Sequence, residues 1–312
     1  MSRGNFAHAV EWNFNCRFHQ SDTRGLMPPI ALIAVLLAAA AHATWNLYAK
    51  RAAGSRHFVW LYSSASAILY SPIIAWILIT ERPQFEFLHW VALIATAFLH
   101  LGDSLMLQAG YRASDLSLVY PLARGSGPLL SFFAAVLLLG EPLTWTGVLG
   151  VLLVVCGILL VSGMLSEHHK APRAGIFYGL GTGFFIAAYT INDGWASKVL
   201  LISPFLIEYV GNVFRLTVLG PRAWMDRVRV REEIREYWKP ALVVSVLGPI
   251  GYVLVLYAMR VAPVSHVAPT RELATLIGTY FGARLLQERA APSRILGAIC
   301  IVAGVVSLAF GG

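Results

Sequence analysis

Charge is what this chain lacks. Only 13% of its 312 residues are Asp, Glu, Lys or Arg, about half of the roughly 25% found in soluble domains. Apolar residues make up 57% and the mean hydropathy is +0.66. Such a chain cannot cover itself with polar surface, so its natural solvent is lipid. Cysteine is equally scarce. Cys16, Cys156 and Cys300 are odd in number and scattered, which argues against a disulfide framework and against a metal site. No Walker loop, zinc spacing, Gly-x-Ser-x-Gly elbow or long polar domain is present, so neither ATP-driven transport nor a familiar hydrolase chemistry resides in this chain. The net charge of +8 needs no nucleic acid to explain it, because most Lys and Arg lie between the apolar runs, where they orient a protein against a membrane.

What is abundant is apolar runs near the ~20 residues that a spanning helix needs. Ten are expected, at 29–49, 57–80, 87–111, 115–139, 143–163, 173–198, 203–220, 240–260, 263–286 and 290–310. Residues 1–27 read as a polar extension without an apolar core of signal-peptide length. Residues 28–163 and 173–312 read as two five-helix units joined by a linker at 164–172. The loop from Arg222 to Lys239, with mixed charges, suits a short amphipathic surface helix.

The two units are copies. Residues 113–161 lie without a gap on 260–308 at an offset of 147, which puts Arg124 on Arg271, Glu141 on Glu288, Gly150 on Gly297 and Gly157 on Gly304. Five spans per copy is an odd number, so the copies must enter the bilayer in opposite orientations. The expected fold is an all-α membrane protein of ten transmembrane helices in two inverted five-helix repeats. Each copy has a Pro-containing apolar helix, an acidic residue in a very short turn (Gly140-Glu141-Pro142) and a glycine-spaced helix ending in Gly157-Ile158-Leu159-Leu160. This resembles the repeat of EamA-type carriers of the drug/metabolite transporter superfamily, and His42-Ala43-Thr44-Trp45-Asn46 is similar to a first-helix signature within it. The resemblance covers residues 28 to 310. It implies a multi-pass carrier of the cell membrane, complete as one chain, with a dimer compatible and no cofactor. It does not name the solute, because the family carries many on one scaffold.

Polar residues inside the spans are the site candidates, since a charge at the bilayer centre costs about 2.5–3.5 kcal/mol or more and must face a cavity or a partner. His42, Trp45 and Asn46 share a face of the first segment, and Asn192 stands in the sixth, 146 residues after Asn46. Asp103 follows His100 by three in the third segment, and Glu208, Asn212 and Arg215 share a face of the seventh. Tyr120 lies one turn before Arg124, and Glu272 adjoins Arg271, with Pro121 and Pro269 placed to break those helices. Arginines at equivalent positions of two repeats suit a carboxylate, phosphate or phosphonate. The competing reading makes these charges electrostatic glue, Arg124 with Asp103 and Arg271 with Glu272 or Glu208, and Arg215 a side chain reaching for the surface. Glu141 and Glu288 read as helix caps.

The function expected is secondary-active or facilitative transport of a small polar metabolite, an amino acid or other anionic or zwitterionic solute, by alternating access. Protons are a candidate coupling ion. The alternative is an intramembrane enzyme using His100 and Asp103 on a lipid or small molecule. Six Lys and Arg fall on the side of both termini and fifteen on the other, so the positive-inside rule puts the termini outside. A reporter fused after Gly312 is expected outside, with the 222–239 segment labelled only from the cytoplasm; a cytoplasmic C-terminus would overturn this orientation.

Overall fold

The computed structural model describes residues 27–52, 54–114, 116–161, 173–274 and 292–310. Their regular structure is entirely helical: α1 (Pro29–Arg51), α2 (Phe58–Thr80), α3 (Phe87–Ala113), α4 (Leu116–Leu139), α5 (Trp145–Val161), α6 (Arg173–Lys198), α7 (Pro204–Met225), α8 (Arg227–Val261), α9 (Val264–Thr270) and α10 (Pro292–Phe310). Six of these, α1 to α4, α6 and α8, contain stretches long and apolar enough to cross a membrane, and α5 and α10 are shorter apolar helices. Helix α7 carries Glu208, Asn212 and Arg215, polar residues that lower its hydropathy below that of its neighbours. The segments expected at 1–26 and 164–172, and the second half of the ninth span, lie outside the described residues.

The outer surface is apolar, as lipid requires. Trp76, Leu137 and Trp145 are among the exposed side chains, whereas Asp193, Thr182, Arg271 and Glu272 are buried. This inverts the pattern of a water-soluble protein. Trp90 and Trp145 near one end of the bundle, and Trp224 and Trp238 near the other, are exposed, as in the aromatic belts of membrane interfaces.

Exchanging the two copies maps the packing onto itself. Helix α1 packs on α8 as α6 packs on α3, and the equivalent pairs α2 with α7, α4 with α9 and α5 with α10 touch directly. In each such pair the helices run antiparallel. A Cβ on Gly150 would meet Gly304 O at 3.0 Å and one on Gly157 would meet Gly297 O at 2.6 Å, so rising numbers in α5 face falling numbers in α10. Likewise Trp60 lies near Gly220, while Tyr70 packs on Phe205. The glycines admit backbone-to-backbone approach, which drives helix association where no hydrophobic effect is available.

Two local features depart from expectation. The 222–239 segment is no separate surface helix. Its residues from Arg227 onward form the start of α8, which at 35 residues is about 52 Å long against a hydrocarbon core of about 30 Å. The charged stretch 227–239 therefore projects beyond the membrane. Helix α4 runs unbroken through Pro121, but α9 ends at Thr270, immediately after Pro269, and Arg271 and Glu272 occupy a turn. Helix α4 itself stops at Gly140, whose φ of +68° is the left-handed conformation that terminates helices and that glycine adopts without strain.

Gly157→Ala is expected to destabilise the protein by about 1–3 kcal/mol, because the new methyl meets a backbone carbonyl that cannot rotate away. Gly125→Ala, whose Cβ would lie 3.7 Å from Val155 Cγ1, is expected to be neutral or mildly stabilising. Thermal unfolding of both variants in detergent checks this; equal midpoints would refute the packing argument.

Candidate functional site

The buried polar side chains converge where α1, α3, α4, α6, α8 and α9 meet. Asp193 on α6 is at its centre, with no exposed surface. Its carboxylate is hydrogen-bonded to His100 Nε2 at 2.9 Å and accepts from Tyr252 Oη at 2.5 Å and Asn192 Nδ2 at 3.0 Å. The His100 ring stacks on Tyr189 at 4.2 Å between centroids and meets Tyr252 edge-on at 5.3 Å. Neighbouring turns of α6 thus supply Tyr189 below the imidazole and Asp193 at its nitrogen, which holds the ring in one place.

Tyr189 lies within electrostatic reach of Arg124, Arg271, Glu272 and Asp103. Arg124 Nη1 is 3.5 Å from Glu272 Oε1, and Arg271 Nε is 3.6 Å from the same oxygen. Two guanidiniums from equivalent positions of the repeats therefore converge on one carboxylate. Both distances exceed the ~2.7–2.9 Å of a well-formed charge-assisted bond. Arg271 is 2% exposed, and its Nε has no hydrogen-bond partner among the described residues. His42 faces the same region, within reach of both arginines. Its Nδ1 bonds to Ala38 O at 3.0 Å, and it lies where a Cβ on Gly251 would come within 2.9 Å, so α1 and α8 touch here.

A second cluster lies on α7. Arg215 is buried, donates to Asn212 Oδ1 at 3.0 Å and is 3.7 Å from Glu208, which accepts from Asn212 Nδ2 at 2.8 Å. Asp103 stands between the clusters, within electrostatic reach of His100, Arg124, Arg215 and Arg271, and its Oδ1 is buried without a hydrogen bond among the described residues.

Several expected pairings differ. Arg124 reaches Glu272 across the repeat interface rather than Asp103. Arg271, by contrast, does meet Glu272, one of the two acids expected for it, because the turn after α9 brings neighbouring side chains onto one side. Arg215 does not reach for the surface; it is held inside by Asn212 and Glu208 through Nη2, while its Nε has no hydrogen-bond partner among the described residues. Asn192 spends its amide on Ala92 O at 3.0 Å and on Asp193, so it braces the acid. Trp45 packs toward the α2 and α8 cluster around Phe58 and Val230. The side chains of Asn46 and Tyr120 lie outside the described residues, as does Glu288. Asp193, Tyr189 and Tyr252 were missed. The 147-residue offset that aligns the rest of the repeat puts Asn46 on Asp193 rather than on Asn192, and that signal was readable; Tyr252 had none.

The sequence profile of the EamA-like transporter family matches residues 29–163 and again 173–310. The chain belongs to the EamA-like transporter family. It is accordingly a multi-pass membrane protein of a transporter family. No curated protein matches it significantly. Among 29 matching solved chains, one described as "Crystal structure of protein" superposes with a TM-score of 0.69 at 14% identity, covering 89% of this chain and 95% of its own. At that identity the likeness concerns the fold alone.

In this EamA-like chain the polar centre is tied off at both ends. On the side where α1 begins, the Glu141 carboxylate accepts from Val264 N at 2.7 Å and Ser265 N at 2.8 Å, capping α9 from the other repeat. Arg260 donates there to Ser197 O at 3.1 Å and Ile202 O at 2.8 Å. On the opposite side Glu233, in the projecting part of α8, accepts from Ser55 Oγ at 2.7 Å and from the N–H groups of Arg56 and His57 at 3.0 Å, which pins the α1–α2 turn. His57 also meets Asp226 at 3.1 Å.

Burial alone would push the Glu233 carboxyl up, but the hydrogen bonds from Ser55, Arg56 and His57 outweigh it and hold the group below the ordinary carboxylate range. A depressed folded-state pKa contributes stability that is present above the unfolded value of ~4.3 and is lost as pH falls through the folded one. Glu233→Gln is therefore expected to lower the thermal midpoint at pH 7 and to flatten its decline toward acid. A wild-type decline retained in the variant would refute this assignment.

Proposed function

We propose that this chain is an alternating-access carrier that crosses the cell membrane ten times as two oppositely oriented repeats and moves a small anionic or zwitterionic metabolite, amino and organic acids being the first candidates. What supports the reading is one observation: Arg124 and Arg271, equivalent residues of the two repeats, converge on Glu272 at 3.5 and 3.6 Å. A solute carboxylate arriving between them takes over part of the role of Glu272, using the rigid donor fork that arginine offers and lysine does not. The site lies between the repeats, where relative rocking of the two halves exposes it to one side and then the other. The break of α9 after Pro269 puts Arg271 and Glu272 in a turn at the same place, with their backbone N–H groups bonded to Val267 O and Pro269 O.

The test is counterflow in proteoliposomes against amino acids, organic acids, phosphonates and sugars, with the same compounds assayed for chemical conversion. Accumulation without conversion is expected; conversion without accumulation would establish the enzyme alternative. Residue roles follow from a double-mutant cycle on Arg124 and Glu272, scored separately for folded yield and uptake. Glu272→Gln strands two buried guanidiniums, a loss of about 3–5 kcal/mol, and lowers both, whereas Arg124→Gln leaves Glu272 its contact with Arg271 and lowers chiefly uptake. The double variant, with one stranded guanidinium instead of two, is expected to recover part of the yield lost in Glu272→Gln and no uptake, and Arg124→Lys to fold with about tenfold weaker apparent affinity. Recovery of both yield and uptake in the double variant would make the pair purely structural and sink the arginine clamp.

A further inference from the structure

Four carboxylates of the polar centre and its α7 neighbour are described: Asp103, Asp193, Glu208 and Glu272. Their partners differ in kind. Glu272 meets Arg124 and Arg271, and Glu208 meets Arg215. Arginine does not give up its proton in a protein, so the cation of neither pair can carry a transported proton. Asp193 has one ion-pair partner among the described residues, and it is His100. Histidine is the side chain whose charge changes near neutral pH. The remaining donors to Asp193, Tyr252 Oη and Asn192 Nδ2, are neutral.

We propose that the His100–Asp193 pair is the proton-binding site of the carrier. The assignment rests on the transport reading above and adds its coupling ion. One proton is taken from water on one side of the membrane, held by the imidazole and carboxylate together, and released to water on the other side; no other bond is made or broken. Placement gives that proton a consequence. His100 belongs to α3 of the first repeat, and Asp193 and Tyr252 to α6 and α8 of the second. Rocking the repeats apart withdraws His100 from a carboxylate that has no exposed surface and leaves it the neutral donors of its own repeat. With the proton on board the pair moves as a neutral unit, and without it the charge opposes the movement.

The surroundings favour a site that both binds and lets go. From α3, Asp103 adds a negative charge within reach of the imidazole. From α4 and α9, Arg124 and Arg271 oppose it across Tyr189, with Glu272 between them. Helix α7 acts at one remove, through Glu208 and Arg215 on Tyr62 and Asp103. His266 of α9 faces Glu141 instead. An anionic solute seated at Arg124 and Arg271 masks the positive charge nearest the pair and so favours the proton, which links the two cargoes. The acid is also present once only: at the common offset Asn46 occupies the position of Asp193 in the first repeat, and an amide carries no proton-linked charge.

The site is tested on the full chain labelled with 15N-histidine in lipid nanodiscs, titrated from about pH 5 to 8. One histidine titration is expected that disappears in His100→Gln, moves by about one pH unit in Asp193→Asn, and moves less in Tyr252→Phe. Histidine signals with the same pH response in wild type and His100→Gln would overturn the proposal. So would a His100 titration indifferent to Asp193→Asn, or, should that variant not fold, to Tyr252→Phe. In liposomes, uptake of an amino or organic acid driven by an imposed pH gradient is expected to vanish in Asp193→Asn, while counterflow, which needs no gradient, persists. Gradient-driven uptake that survives the change would also overturn it. The titration needs no solute: its failure alongside working counterflow removes the proton site alone, and its success without any counterflow removes the carrier reading.

Discussion

A charge in the hydrocarbon of a bilayer has no water to turn to, and this requirement organises the protein from the centre outward. Asp193, Arg271 and Glu272 are almost wholly buried; Asp193 and Glu272 are answered from other helices, and Arg271 by the adjacent Glu272. The acid of α6 is held from α3 and α8, and the cation of α4 reaches the carboxylate beyond α9. The contacts from α3 and α4 cross from one repeat to the other, whereas the Tyr252 bond lies within the second repeat. The interface between repeats is therefore where polar chemistry must collect, because the outer face of every helix is given over to lipid-compatible side chains such as Trp76 and Leu137.

The periphery follows a different rule. Between α5 and α10 no ion pair operates among the described residues; the helices are held by close approach, through Gly150 against Gly304 and Gly157 against Gly297, and by a hydrogen bond from Ser307 Oγ to Thr146 O at 2.8 Å. The glycine contacts are backbone against backbone and tolerate no added methyl. The centre is the opposite. Its arginine ion pairs stand at 3.5 to 3.7 Å, and Arg271 Nε and Asp103 Oδ1 go without hydrogen bonds among the described residues. A rigid rim around a loosely satisfied polar core is what a transporter requires, since the rim must survive the movement that the core permits.

The ends of the bundle link the two properties. Glu141 caps the short α9 from the opposite repeat, and Glu233 gathers the α1–α2 turn onto the projecting end of α8. Each carboxylate satisfies backbone N–H groups that would otherwise go unmet, so each closure is local and reversible. The chain holds its two faces by hydrogen bonds to turns as well as by packed apolar side chains such as Phe58 and Val230.

Lipid as solvent, helix as the only regular structure, the duplication and the family were all legible in the sequence. Hydropathy is a property of consecutive residues, and a common offset for Arg124 with Arg271 and Gly157 with Gly304 survives without knowledge of contacts. The inversion of the repeats followed from the odd number of spans expected in each, and the antiparallel α5 and α10 agree with it. The polar residues inside the spans were legible as a set, but their partnerships were not. Arg124 pairs 148 residues away with Glu272, and His100 pairs 93 residues away with Asp193. A side chain reaches only a few ångströms from its helix, so such partners depend on the rotation and crossing of helices packed against several neighbours at once. Neither quantity is written in any one stretch of chain. Tertiary structure alone could therefore decide that Arg124 faces Glu272 rather than Asp103, and that Asp193 is answered by a histidine.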